Sequence, residues 1–420
     1  VGAPRAEPWG LYGKELVIMS AIVSSTSQSH HRSRVRVLSS LAILAIAPLV
    51  YFAACSSSDD NGGGAPPPGG GGGGGANQFA FVIASAASEV QAYNLDGSGN
   101  LAPIAGAIAT GVIPHHVDVD RAGRFVYVAN HDSPFLSGWR INQDGSLDPM
   151  NPAPGSPVTG TDPSENQPHS SVIDQTGEYL YVVSGHGAST LRAYKIDTST
   201  GPTRGVPSFI AGQSFSIGTH AHNVTISPNN SFLYVAVEGS GEVHAFSRDT
   251  GTGALTAQGV MNGMPTCDAV VVANDNRFLF ASYENAIEVF SIGTNGTLAR
   301  ITPVSAFPTN NVGGGATPHA MAIHPNGQTL YTANLNSNTV SVFRVDTNTG
   351  VLTELQSPPL ATGAEPNFIG IHPNGSFLFT ADAGPDQLSR FAINSDGTLA
   401  VPPTAIPAGP GANGIGTTKF

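Results

Sequence analysis

Charge is what this sequence has least of. Only 11% of its 420 residues are Asp, Glu, Lys or Arg, against about 25% in an average soluble chain. The 17 Lys and Arg face 29 Asp and Glu. The basic footprint that would neutralise nucleic-acid phosphates is missing, so nucleic acid is excluded as a partner. Cysteine is nearly absent: Cys55 and Cys267 are too few for a disulfide framework. Lys, Glu, Arg and Met are scarce, which argues against a helical bundle or coiled coil. The chain has instead 51 Gly and 32 Pro alongside 40% hydrophobic residues. That is enough apolar matter for a core, punctuated by turn formers throughout, and it predicts many short strands.

Residues 1–54 read as an address. Arg32, Arg34 and Arg36 precede an apolar run from Val37 to Ala54, too short for a convincing membrane span. A basic region, an apolar stretch and small residues before a cut make an export signal. The run Phe52-Ala53-Ala54-Cys55 resembles a bacterial lipoprotein signal, which implies lipidation of Cys55 and an envelope location, periplasmic or outer-membrane. Residues 55–78, with seven consecutive Gly from Gly69 to Gly75, cannot bury a core and read as a flexible tether. Cleavage before Cys55 leaves 12 basic against 27 acidic residues. Residues 79–420 are the expected folded part.

That part repeats. An aromatic residue followed by a Gly-containing polar turn recurs at Tyr93, Trp139, Tyr194, Phe246, Phe290, Phe343 and Phe391, at spacings of 46, 55, 52, 44, 53 and 48. A second block precedes it, as in Pro318-His319-Ala-Met-Ala-Ile-His-Pro-Asn-Gly327-Gln-Thr-Leu-Tyr331-Thr-Ala-Asn334. This is a strand, a tight turn and a second apolar strand. The first repeat lacks its opening strand, and the missing piece, Asn413-Gly-Ile-Gly-Thr-Thr, stands at the other end. Six whole repeats and two complementary fragments predict an all-β, seven-bladed β-propeller of four-stranded antiparallel blades, closed by N- and C-terminal strands in one blade.

The Pro-His-x-x-x-x-x-Pro-Asn-Gly-x-x-Leu-Tyr-x-Ala-Asn and Phe-x-Val-Asp-x-x-Thr-Gly-x-Leu blocks resemble the seven-bladed lactonase family. That family contains propeller-type 6-phosphogluconolactonases and fungal carboxymuconate-cyclising enzymes. The resemblance implies hydrolysis of a sugar lactone, a small-molecule substrate, and His and Glu in the channel.

Antiparallel connectivity puts the starts of the inner strands and the ends of the second strands on one face. That face collects His115, His169, His222, Asp268, His319, Asn367 and Asn413, then Asn130, His131, His186, Glu238, Glu284, Asn334 and Asp382. An ester hydrolase needs a base for water, a donor for the oxyanion and an acid for the leaving alkoxide. His169 or His222 paired with Glu238 are the expected catalytic residues. The others (His115, His131, His186, Asp268, Glu284, His319, Asn334, Asn367, Asp382 and Asn413) are expected to bind substrate. A repeated His can also serve simply to tie one blade to the next. Four His could also hold a transition metal, and the Asp and Asn share could equally favour Ca²⁺, but no tight metal-ligand spacing is present, so no cofactor and no metal are expected. His324 and His372, in turns on the opposite face, are expected to be solvated, and Cys267 to be a buried thiol. No Arg or Lys is placed at the rim, where a phosphate clamp would stand. A lipid-anchored monomer is expected. The competing expectation is a non-catalytic binding propeller at the envelope.

Overall fold

In the computed structural model, the described residues are 78–104, 106–150, 167–185, 187–263, 265–301, 307–308, 317–408 and 412–418. The leader, Cys55, the tether and His186 lie outside them. These residues form seven antiparallel sheets of four or five strands and no helix. Each sheet is a blade. The inner strands are Ala412–Thr417 (blade 1), Pro114–Val119 (blade 2), Pro168–Ile173 (blade 3), Ala221–Ile226 (blade 4), Val270–Val272 (blade 5), Pro318–Ile323 (blade 6) and Pro366–Ile371 (blade 7). They pack side by side in that order, and Ala412–Thr417 touches both Pro114–Val119 and Pro366–Ile371, so the ring closes. Closure is through blade 1, where Ala80 pairs with Thr417 and Val82 with Ile415. The Phe79 N–H donates to Thr418 Oγ1 at 2.9 Å, and the Thr418 N–H returns to the Phe79 carbonyl at 2.9 Å.

The second strand of each blade carries the core. Phe125–Asn130, Tyr179–Ser184, Phe232–Val237, Phe278–Tyr283 and Thr329–Asn334 are buried along their whole length. They read as continuous aromatic and β-branched runs because each sheet is covered by a neighbouring blade on both faces. This is also why charge is scarce: few positions on such strands meet water. The turn after each inner strand closes with a hydrogen bond, as from Gly123 to Asp120 and from Gly327 to His324. Its last residue is left-handed, at φ between 62° and 75° for Gly123, Gly177, Asn230, Asn276, Gly327 and Gly375. Only Gly or Asn stands there, which is the turn chemistry the sequence displays.

Specific polar ties join one blade to the next. The hydroxyls of Tyr181, Tyr234 and Tyr331 donate to the carbonyls of Gly253, Gly296 and Gly397 in the following blade's outer turn. Gly253 is left-handed and lies against the Tyr179 ring, so close that a Cβ would sit 2.1 Å from it. Arg248 and Asp174 form an ion pair at 2.8 Å with both side chains fully buried. Arg248 also donates to Tyr181 Oη and the Asn230 carbonyl. His372 and His324 are corrections to the sequence reading. His372 is fully buried and its Nε2 donates to the Asp96 carbonyl at 2.9 Å, tying blade 7 to blade 1. His324 Nε2 donates to the Gly375 carbonyl at 2.9 Å.

Candidate active site at the histidine-lined mouth

The mouth is built by one repeated distortion. The inner strand slips register against its neighbour between Pro114 and His116, Pro168 and Ser170, Ala221 and Asn223, Pro318 and Ala320, and Pro366 and Phe368. The closing strand does the same between Ala412 and Gly414. The extra residues are His115, His169, His222, His319, Asn367 and Asn413. A bulge re-aims the inserted side chain away from the pleat, so one local irregularity turns each of these positions out of register. Two residues earlier the backbone is left-handed in every blade from 2 to 7: Ile113, Gln167, His220, Thr266, Thr317 and Glu365 have φ between 41° and 61°. For β-branched Ile113, Thr266 and Thr317 this is an unfavourable conformation. It is held by the second strand: the N–H groups of His131, Glu238, Leu335 and Ala383 donate to the carbonyls of Ile113, His220, Thr317 and Glu365.

Each bulge histidine reaches the next blade. Nδ1 of His115 donates to the carbonyl of His169 at 3.1 Å, His169 to His222 at 3.0 Å, and His222 to Asp268 at 2.9 Å. His319 donates to Asn367 at 2.9 Å. This pattern assigns the Nδ1–H tautomer to all four rings and leaves Nε2 as the nitrogen carrying the lone pair. The rings stack into a cluster, with centroids 3.8 Å apart for His115–His169, 4.5 Å for His169–His222 and 4.8 Å for His222–His319. His131 joins at 5.4 Å from His169, and its Nδ1 meets Asp132 at 2.6 Å.

Burial sets the electrostatics. His115 is held well below its usual range by desolvation and then by the neighbouring His169, His222, His131 and His319. His319 is pushed down to about 4 by burial and then by His222. Asp268, also buried, is pushed well above the carboxylate range by desolvation, with Glu238 and Glu284 adding to it. Glu238 acts on both Asp268 and His319. Its position follows from strand pairing, Ala221 opposite Val237, which places His222 and Glu238 side by side at the rim. The mouth therefore holds imidazoles held below their usual range, a carboxyl group pushed above its own, and further acidic side chains within one small region.

The sequence profile described as "Lactonase, 7-bladed beta-propeller" matches residues 75–365. The chain belongs to this family. It is similar to a 6-phosphogluconolactonase of Bacillus subtilis, 29% identical over 64% of this chain and 76% of that protein. A 6-phosphogluconolactonase of Formosa agariphila is 26% identical over 66% of this chain and 76% of its own length. Among solved structures, the periplasmic gluconolactonase of Pseudomonas aeruginosa superposes with a TM-score of 0.65 at 19% identity, covering 81% of this chain and 99% of that one. That last likeness bears on the fold alone.

Within this lactonase-family propeller, the structure brings together His115, His131, His169, His222, His319, Asp268 and Glu238. Glu284 stands exposed nearby, acting on Asp268. Asn367 is buried at its bulge. Asn413 lies in the closing strand, and its side chain is not described. Asn334 and Asp382 are corrections: both are fully buried and turned into their own blades. Asn334 donates to Thr339 and Ser341 and accepts from Thr332. Asp382 accepts from Gly363, Thr380 and Ser389. Asn130 accepts from the Gly111 N–H and donates to Ser137 Oγ. These side chains fasten strands within their own blades. Cys267 is a fully buried thiol, as expected.

Two further residues were not singled out from the sequence. His116 and Asp118 line a cavity of about 130 Å³ that runs between the inner strands to Arg121 and Gln175 in the turns of the opposite face. Asp118 is buried and pushed up to about 8, chiefly by desolvation. The cavity is small against the roughly 300–1,000 Å³ of ordinary ligand pockets, too small for a sugar-sized molecule. Four of the described arginines are engaged elsewhere: Arg124 with Asp120, Arg248 with Asp174, Arg277 with Asp275 and Arg390 with Ser98 and Asn100.

Proposed function

We propose that the protein opens a sugar lactone by acid–base attack of water at the histidine-lined mouth. The observation that carries this is the convergence of neutral imidazoles, Glu238 and Asp268 at one mouth of a lactonase-family propeller. In this reading Nε2 of His169 or His222 takes the proton from water as it attacks the ester carbonyl, and Glu238 balances the imidazolium that forms. Burial and its acidic neighbours push Asp268 well above the usual carboxylate range, which suits it to protonate the leaving alkoxide. His115, His131 and His319 line the place where the lactone sits. No covalent intermediate is invoked.

The relatives act, by their names, on a phosphorylated lactone. Here the groups that act on His115, His319 and Asp268 are other histidines, Glu238 and Glu284. A dianionic phosphate is poorly matched to that surround, so the proposed substrate is an unphosphorylated aldonolactone. Lipid anchoring at Cys55 places the activity in the cell envelope. The test is hydrolysis of glucono-δ-lactone and of 6-phosphogluconolactone by the full-length chain in detergent. Turnover above the spontaneous rate, faster on the neutral lactone, is expected. No turnover on either removes the hydrolase and leaves the mouth as a binding surface.

A further inference from the structure

Three adjacent blades bring one ring nitrogen each of His115, His169 and His222 to within 4.8 Å of one another. In each ring Nδ1 donates to the next blade's carbonyl. This is the arrangement that orients a metal-ligating imidazole, because a carbonyl holding the N–H sets both the tautomer and the aim of the remaining lone pair. We propose that His115, His169 and His222 form a site for one divalent transition-metal ion of the zinc class, with its remaining position open to water.

The donor set favours this ion over harder ones. Three imidazoles suit zinc, copper or nickel, whereas Ca²⁺ and Mg²⁺ require oxygen ligands. Ligand nitrogens about 2.0–2.1 Å from a tetrahedral zinc stand roughly 3.3 Å apart. A separation of up to 4.8 Å therefore closes with movements of under about 1 Å per ring. The bulge position does not itself demand histidine, since Asn367 occupies it in blade 7 and Asp268 takes the equivalent place before the inner strand of blade 5. Three consecutive blades nevertheless carry imidazole, beside acidic Glu238 and Glu284, which favour a cation. Linear spacing hides the set, because the ligands lie 54 and 53 residues apart.

What the ion does rests on the proposed lactone hydrolysis; whether it binds does not. A three-histidine zinc lowers the pKa of bound water to about 7 and polarises a carbonyl. With the ion bound, its water would be the nucleophile, the three histidines would serve as ligands in place of the base role given above to Nε2 of His169 or His222, and Glu238 would receive the proton.

The test uses full-length chain in detergent, stripped with EDTA and titrated with Zn²⁺ and, separately, with Co²⁺. One equivalent of either is expected to bind, with visible d–d absorption for Co²⁺ and a rise in Tm for Zn²⁺. His115→Asn and His169→Asn keep a donor for the facing carbonyl and lack the ligating nitrogen. Each is expected to lose the absorption and the Tm rise while retaining the wild-type near-ultraviolet circular dichroism. If a variant does not fold, the wild-type Co²⁺ spectrum still decides: an octahedral oxygen-type spectrum overturns the site. Absence of stoichiometric binding, or binding unchanged in the folded variants, overturns it equally. Metal binding without lactone turnover would refute the proposed function and leave this site standing, and the reverse result would do the opposite.

Discussion

His319 offers a worked case of what burial does at this mouth. Its Nδ1 is committed to the Asn367 carbonyl at 2.9 Å, His222 lies 4.8 Å away ring to ring, and Glu238 acts on it from the rim. Burial, the largest influence, and His222 push it down to about 4, while the Asn367 carbonyl and Glu238 pull the other way. An unfolded chain protonates this residue near 6.5; the folded protein does not until about pH 4. The stability that depends on a neutral His319 is therefore intact above about pH 6.5 and is lost as pH falls toward 4. At about 1.4 kcal/mol per pH unit this amounts to about 3 kcal/mol. The total pH profile will not show it cleanly. His115 and His116 are shifted in the same direction, but Asp118, held up to about 8, has the opposite slope, its contribution weakening as pH rises from 4 to 8. Subtracting a His319→Asn variant isolates the histidine, since Asn367 occupies the same bulge in blade 7. Equilibrium urea unfolding in EDTA-containing buffer at pH 7 and pH 4 should show the wild type's advantage over the variant shrinking by about 3 kcal/mol. An advantage equal at both pH values would refute the reasoning.

Three other outcomes are expected. Arg248→Met leaves Asp174 as an uncompensated buried carboxylate and should destabilise the protein by about 3–5 kcal/mol in urea unfolding; a loss under about 1 kcal/mol would mean the pair contributes little. Thr266→Asn replaces a β-branched residue at φ 61° with one that tolerates the left-handed region, and should raise stability by up to about 1 kcal/mol. A lower Tm would show that the Thr266 hydroxyl bond to the Pro265 carbonyl matters more than the strain. Cells fed labelled fatty acid should label the wild type and not Cys55→Ser; label retained in the variant would remove the anchor.

The blade count, the closing seam and the shared mouth were legible because they rest on local signals: alternating strands, Pro-Asn-Gly turns and a missing first strand that reappears at the end. What was not legible depends on contacts between blades. Nothing local in Pro-His marks a bulge, yet the bulge decides where the ring points. His372 reads as a solvated turn residue until Asp96 of blade 1 covers it. Asn334 and Asp382 were placed at the correct strand ends but face inward, bonded to Ser341 and Ser389 seven residues on. The same spacing joins Asn130 to Ser137, and this recurrence was a usable signal for a fastening role. The histidine cluster was foreseen as a set, but its stacking and its chain of Nδ1-to-carbonyl bonds were not.

The central claim is that the mouth hydrolyses lactones through its own imidazoles and Glu238. The most direct measurement is kcat/KM on glucono-δ-lactone for the wild type, His222→Asn and Glu238→Gln, with Tm recorded for each. General acid–base groups contribute roughly 100- to 10,000-fold. The account predicts a loss of that size in both variants at unchanged Tm, and wild-type rates in both would contradict it.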